Sequence, residues 1–464
     1  MSTLGPVVPG VAAAHPATAE VGLRILRDGG TAADAAVAAV LACCVAETIY
    51  TGLGGGGFAT YFDASTGSVT CLDFFVSVPG TDGDVTAGPM VKVDVFFGGM
   101  PQVYEIGGAS VAVPGVPAGC GEVHRRWGRL PWASVVAPAL ALARAGVVLP
   151  AAQARTLIAC APALAYGDGA AVYAPGGRLL EGGDLLVHPG LATALEGLAA
   201  EGPAAFYTGA FAQTMIDAVR DAGGALGPRD LASYRVEETS VDHATLNGYR
   251  VRARHDLSRT VDTIAALPPE ITPVALAAAL RDQGRQRIGD TTNVSVVDSD
   301  GNACVITTTM GLGAAVWLPG LGVNLNSMLG EGELITADLA PGRRMSSNMC
   351  PLVVIDGQGR LIVAAGSAGA SRIRTALIGT LLGVLVDGLD VAAAVNRPRF
   401  HVVGDTVQAE PGVPAADLAA LAGAGWAINQ WAEMDHYFGG VTAVGAGGAA
   451  GDPRRGGVGL LLDA

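Results

Sequence analysis

Asp290-Thr291-Thr292-Asn293-Val294-Ser295-Val296-Val297-Asp298 is the stretch on which the reading of the fold turns. A threonine pair opens a strand with alternating apolar residues. Asp298-Ser299-Asp300-Gly301-Asn302 is a turn, and Ala303-Cys304-Val305-Ile306-Thr307-Thr308-Thr309 is a second strand. If Val297 pairs with Ala303, Thr291 faces Thr309 at the open end of the hairpin. Two hydroxyls meeting there suit a threonine nucleophile activated by an amine. A cut before Thr291 would free an α-amino group able to take the hydroxyl proton. That amine has a reference pKa of about 8, so it is a usable base near neutrality.

Working outward, the chain resembles the γ-glutamyltransferase family of N-terminal-nucleophile hydrolases. The resemblance is carried by His15-Pro16-Ala17-Thr18-Ala19 with Ile25-Leu26-Arg27-Asp28-Gly29-Gly30-Thr31-Ala32-Ala33-Asp34-Ala35-Ala36, and by Gly52-Leu53-Gly54-Gly55-Gly56-Gly57-Phe58. Val113-Pro114-Gly115, Leu130-Pro131-Trp132 and Ala137-Pro138-Ala139 extend it. Gly366-Ser367-Ala368-Gly369-Ala370-Ser371-Arg372-Ile373 and Asp452-Pro453-Arg454-Arg455 carry it through the second half. Most of the chain is covered, except roughly residues 250–288. The resemblance implies a precursor that cleaves itself before a threonine, which then attacks an amide carbonyl.

The residues by themselves place strands near both ends and helices between them, a sheet flanked by helices. Expected helices include 17–47 with a break at Asp28-Gly29-Gly30, Pro131 to Ala145, Leu191 to Gly202 and Ile373 to Val386. Expected strands include Phe58 to Phe62, Ser68 to Phe74, a hairpin over 353–363 and the glycine-punctuated stretch 439–463. The resemblance sharpens this to an α/β class fold, a four-layer α/β/β/α sandwich. Segments 1–290 and 291–464 together build one sandwich domain, although length alone suggests two or three.

Composition narrows the function. Of 464 residues 50% are hydrophobic, enough for a large core, and the formal charge is -14. No basic stripe interleaved with aromatics appears, which argues against nucleic acid as a partner. The apolar run Ala35 to Ala46 is too short to span a bilayer, so no membrane partner is expected. Met1-Ser2-Thr3-Leu4-Gly5-Pro6 lacks a basic segment followed by an apolar one, so no signal peptide and a cytoplasmic location are expected. The seven cysteines and seven histidines are scattered, without ligand spacing. They imply buried thiols in a reducing compartment, no metal and no cofactor. The expected partners are a small-molecule substrate and the two self-derived fragments held together, with a homodimer of that unit as a further option.

Site roles follow from the resemblance. Thr291 is the nucleophile, Thr309 orients it, and Asp290, Thr291 and Thr292 form the processing junction. Strand threonines chosen for β-propensity are the bland alternative. Gly369 and Ala370 match the backbone pair that donates N–H groups to the oxyanion, where relatives usually have a second glycine. Ser347 and Asn348 match paired serines that bind substrate. Formal matches of 52–57 to a dinucleotide fingerprint and of 365–369 to a serine elbow fail on context.

Two departures bear on substrate. Phe75 stands where glutamyl-specific relatives carry the arginine that clamps an α-carboxylate. The positions that hold the α-amino group fall near Gly311, Met328 and Glu331, where only Glu331 keeps an acid. The shortened section before Thr291, with Ala266-Leu267-Pro268-Pro269-Glu270 as its remnant, predicts a differently shaped wall. The first expectation is a self-processing hydrolase acting on a small amide or keto acid that is not a standard γ-glutamyl compound. Ordinary γ-glutamyl hydrolysis or transfer with a rebuilt pocket is the second. The third is C–C bond cleavage, as assigned to family members that make alkylproline precursors of antibiotics. A non-enzymatic scaffold is the fourth.

Overall fold

Thr292–Val297 pairs antiparallel with Ala303–Thr309, and Val297 stands opposite Ala303. Thr292 stands opposite Thr308, so the register carried one residue further sets Thr291 against Thr309. This is a computed structural model, and it describes residues 5–97, 100–255, 259–281, 290–331, 334–335 and 339–463.

The hairpin lies at the middle of a seven-stranded antiparallel sheet. On one side come Gly56–Asp63, Ser68–Phe74 and Glu237–Thr239; on the other come Gly10–Ala13 and Val458–Leu461. A second antiparallel sheet runs Gly448–Gly451, Gly440–Gly445, Leu361–Ala368, Leu352–Ile355, Tyr249–Arg254 and Val241–Leu246. The two face each other across an apolar layer that includes Phe62, Val297, Val305, Val353, Ile355 and Val444. Nearer the threonines the layer turns polar. The Asn293 amide lies within hydrogen-bond reach of the Thr307 and Thr442 hydroxyls. Gly366 is required there, because a Cβ on it would sit 2.0 Å from the Asn293 amide oxygen.

Helices complete the outer layers. Pro16–Arg27 and Ala32–Ala46 pack on the first sheet. The second of these starts at a capping box: Thr31 accepts from the Asp34 N–H, and Asp34 accepts from the Thr31 N–H. It has no polar face, and all fifteen of its residues are buried, as a helix apolar all round requires. Arg372–Leu385 covers the second sheet. The result is the expected α/β/β/α sandwich. The sequence carries no strand signal at Gly10–Ala13, whose four small residues become a strand through their neighbours on both sides. The expected wall before Thr291 contains the helices Thr260–Ala265 and Pro273–Leu280. Its last part, 282–289, lies outside the described residues. Among the described residues no helix is long and apolar enough to cross a membrane.

Candidate active site

At the open end of the central hairpin Asp290 and Thr291 are both buried. The Thr309 hydroxyl donates to the backbone carbonyl of Asp290, while Gly311 N–H donates to the same Thr309 oxygen at 3.0 Å. Thr309 therefore engages the carbonyl just before Thr291, where the sequence reading expected it to orient Thr291 itself. A hydroxyl already donating to a carbonyl oxygen stabilises negative charge that develops there when the carbon is attacked.

Two charged groups flank the junction. The Asp290 carboxylate accepts from the Arg455 guanidinium and from the Thr291 N–H at 2.9 Å. Arg455 belongs to the turn opened by Asp452, and its guanidinium lies 4.9 Å from the centre of the Tyr50 ring. Burial works against the charge on Arg455, but the Asp290 carboxylate, Tyr50 and Asp452 together outweigh it and hold its pKa above the ordinary value. On the helix side of the sheet the Thr292 hydroxyl donates to Glu47, the residue that ends the Ala32–Ala46 helix. Glu47 also accepts from the Thr18 hydroxyl at 2.9 Å and from the Cys43 thiol at 3.3 Å, and it is wholly buried.

The other expected residues fall in two groups. Glu331 lies close to Thr309 through Gly311, which takes φ +67°. A Cβ on Gly311 would meet the Tyr104 hydroxyl at 2.4 Å and the Glu331 carboxylate at 2.6 Å. Tyr104 donates to Glu331 at 2.8 Å and accepts from the Leu312 N–H at 3.0 Å. Burial, then the Glu331 charge, push the Tyr104 phenol well above its usual range, so it stays a neutral donor.

Gly369 and Ala370 follow the strand Leu361–Ala368 and precede the helix that starts at Arg372. Gly366 of that strand lies against Asn293, and Gly440, which pairs with Ala368, lies against Arg455. The turn and the junction thus share one end of the sandwich. Gly369 has φ +118° and Ala370 has φ +50°. The second value is left-handed backbone, which costs an alanine about 1 kcal/mol relative to glycine.

Phe75 directly follows the strand Ser68–Phe74, two strands along the first sheet from Thr309. Phe75 has no exposed surface, and its ring is 5.5 Å from Phe58. Its carbonyl accepts from the Arg344 guanidinium and, at 2.7 Å, from the Tyr234 hydroxyl. The 343–350 segment runs beside it, with Met345 N–H donating to the Val76 carbonyl at 3.1 Å. Ser347 is buried and accepts from the Met349 N–H, while Asn348 is half-buried. Glu47, Arg455 and Tyr104 were not singled out as site residues in the sequence. For Glu47 the available signal was one acid closing the apolar run Ala35 to Ala46. For Arg455 it was the basic pair of the Asp452-Pro453-Arg454-Arg455 motif.

Comparison with known proteins gives a consistent picture. The family described as Gamma-glutamyltranspeptidase matches residues 18–267 and 256–461. The glutathione hydrolase proenzyme of Bacillus subtilis (strain 168) is 26% identical, over 89% of this chain and 84% of its own length. The acylase ACY 1 proenzyme of Pseudomonas sp. (strain SE83) is 29% identical, over 88% of this chain and 85% of its own. Among solved structures, the cephalosporin acylase from Bacillus halodurans superimposes with a TM-score of 0.80 at 21% identity, covering 100% of this chain and 98% of that one. This last likeness is one of fold.

Proposed function

The chain belongs to the gamma-glutamyltranspeptidase family and is an enzyme of its hydrolase and acylase group; from that premise we propose that it cuts itself between Asp290 and Thr291 and then uses Thr291 as an N-terminal nucleophile. The observation that carries this is the Thr309 hydroxyl donating to the Asp290 carbonyl. In the first step the Thr291 oxygen adds to the Asp290 carbonyl carbon. The hydroxyl proton passes to the Thr291 nitrogen as its bond to the Asp290 carbon breaks, freeing the amine, and an ester links Asp290 to the Thr291 oxygen. Water then hydrolyses the ester, leaving a C-terminal Asp290 and a free Thr291. In turnover the freed amine takes the hydroxyl proton, the oxygen attacks the acyl carbonyl, and the amine returns the proton to the leaving group. Gly369 and Ala370 would donate N–H groups to the oxyanion.

The acyl group is a small one lacking the free α-amino and α-carboxyl groups of a γ-glutamyl compound. Supporting this, Phe75 offers no charge to a carboxylate, and Glu331 already accepts from Tyr104. The acylase among the relatives supports the same direction. Glutathione should then be a poor substrate, since one lost charge-assisted pair weakens binding roughly 10- to 150-fold.

Purified protein run on a denaturing gel, with N-terminal sequencing of the bands, tests the first step. Fragments 1–290 and 291–464 are expected, and Thr291→Ala should stay whole and inactive. An active preparation that remains one full-length chain would overturn the mechanism.

A further inference from the structure

At the end of the sandwich away from Thr291 the two sheets part around a cleft of about 800 Å³. Thr291 and Asp298 are seven residues apart on an extended run, roughly 23 Å. The turn before Ser68 and the turns that begin at Asp298 and Asp356 form the rim, and Phe62, Val297 and Ile355 form part of the floor. Arg250 and Arg252 line the cleft from the Tyr249–Arg254 strand. Alternation puts both on one side of that strand, while the alternate residues Val251 and Ala253 belong to the core beneath the Arg372–Leu385 helix.

Carboxylates at the rim do not neutralise these two cations. Asp298 accepts from the N–H groups of Ala32, Asp300 and Asn302. Asp356 accepts from the N–H groups of Gln358 and Arg360 and from the Arg360 guanidinium. Arg250 reaches the Asp356 backbone carbonyl at 3.5 Å. Among the described residues the Arg252 side chain makes no hydrogen bond or ion pair, and its Nε is buried without an acceptor. Both side chains are half-buried, and they leave the same side of the strand at Cα positions one strand period, roughly 7 Å, apart. Two like charges held that close in a recess repel, and partial burial removes the water that would screen them. A chain of net charge -14 has surplus carboxylates, yet none pairs with this pair among the described residues.

We propose that the cleft binds a small phosphate-bearing anion, at a site separate from Thr291. Two guanidinium forks match phosphate oxygens. A phosphate group carries about -1.5 to -2 charge at neutral pH, close to what two cations require, whereas a single carboxylate carries half of that.

Titration calorimetry on the purified protein, with inorganic phosphate, pyrophosphate and acetate at matched ionic strength, is the test. Saturable one-to-one binding of a phosphate species at least tenfold tighter than acetate is expected. Arg252→Gln should weaken it roughly tenfold or more, with self-cleavage unchanged. Equal affinity for phosphate and acetate in the wild type overturns the proposal, as does undiminished binding in the folded variant. If the variant fails to fold, hydrogen exchange of the wild type decides. Added pyrophosphate should slow exchange in 298–302 and 356–360, and protection confined to other segments overturns the site.

Discussion

Thr309 makes two hydrogen bonds with one oxygen: it accepts the Gly311 N–H and donates to the Asp290 carbonyl. Valine has the same branched shape and neither capacity. Thr309→Val should therefore keep the fold and lose the donor that meets developing charge during self-cleavage. Removal of one such donor costs on the order of 10²–10³-fold in rate. The half-life of full-length chain, followed on denaturing gels, should lengthen by that factor while the circular dichroism spectrum stays unchanged. Cleavage at the wild-type rate would show that the Asp290 carbonyl is polarised by something else. The partner of this hydroxyl was half legible in the sequence. Strand register sets Thr309 against Thr291, but which atom it bonds depends on the course of the backbone at Asp290, which no spacing rule gives.

At the scale of elements, local signals were read well and distant ones were not. The hairpin was legible because alternation and an Asp-Ser-Asp-Gly-Asn turn fix the register together. The buried helix was legible from an apolar run bounded by Asp34 and Glu47. What Glu47 does was not legible, because its partner Thr292 is 245 residues away along the chain. Arg455 and Asp290 are 165 apart for the same reason. Such pairs arise only when the helix layer and the C-terminal strand close over the hairpin. Glu47 ties the end of the helix to the start of the nucleophile strand by accepting from Thr292, Thr18 and Cys43. Glu47→Ala leaves three buried donors without an acceptor, at about 1–3 kcal/mol for each hydroxyl and less for the thiol. The urea midpoint should fall by the equivalent of at least about 2 kcal/mol. Glu47→Gln keeps one carbonyl acceptor and should lose less. Equal stability of wild type and Glu47→Ala would mean that water fills the site.

The whole molecule is interleaved across the proposed cut. In the first sheet Gly10–Ala13, from the first segment, lies between Val458–Leu461 and Thr292–Val297 from the second. Ala303–Thr309 pairs with Gly56–Asp63, again across the two segments. In the second sheet Tyr249–Arg254 pairs with Leu352–Ile355. Four strand ladders thus join 1–290 to 291–464, and the apolar layer between the sheets draws on both. Cutting one peptide bond breaks none of these ladders, whereas separating the fragments would break all four and expose both faces to water. The fragments should therefore elute as a single species at native pH and yield two bands only under denaturing conditions. They should part in the same urea transition that unfolds the sheets, so a fluorescence transition and a size-based dissociation curve should share a midpoint. Dissociation well below the unfolding midpoint would mean that each segment keeps a fold of its own, and the reading of one domain built from two halves would fall.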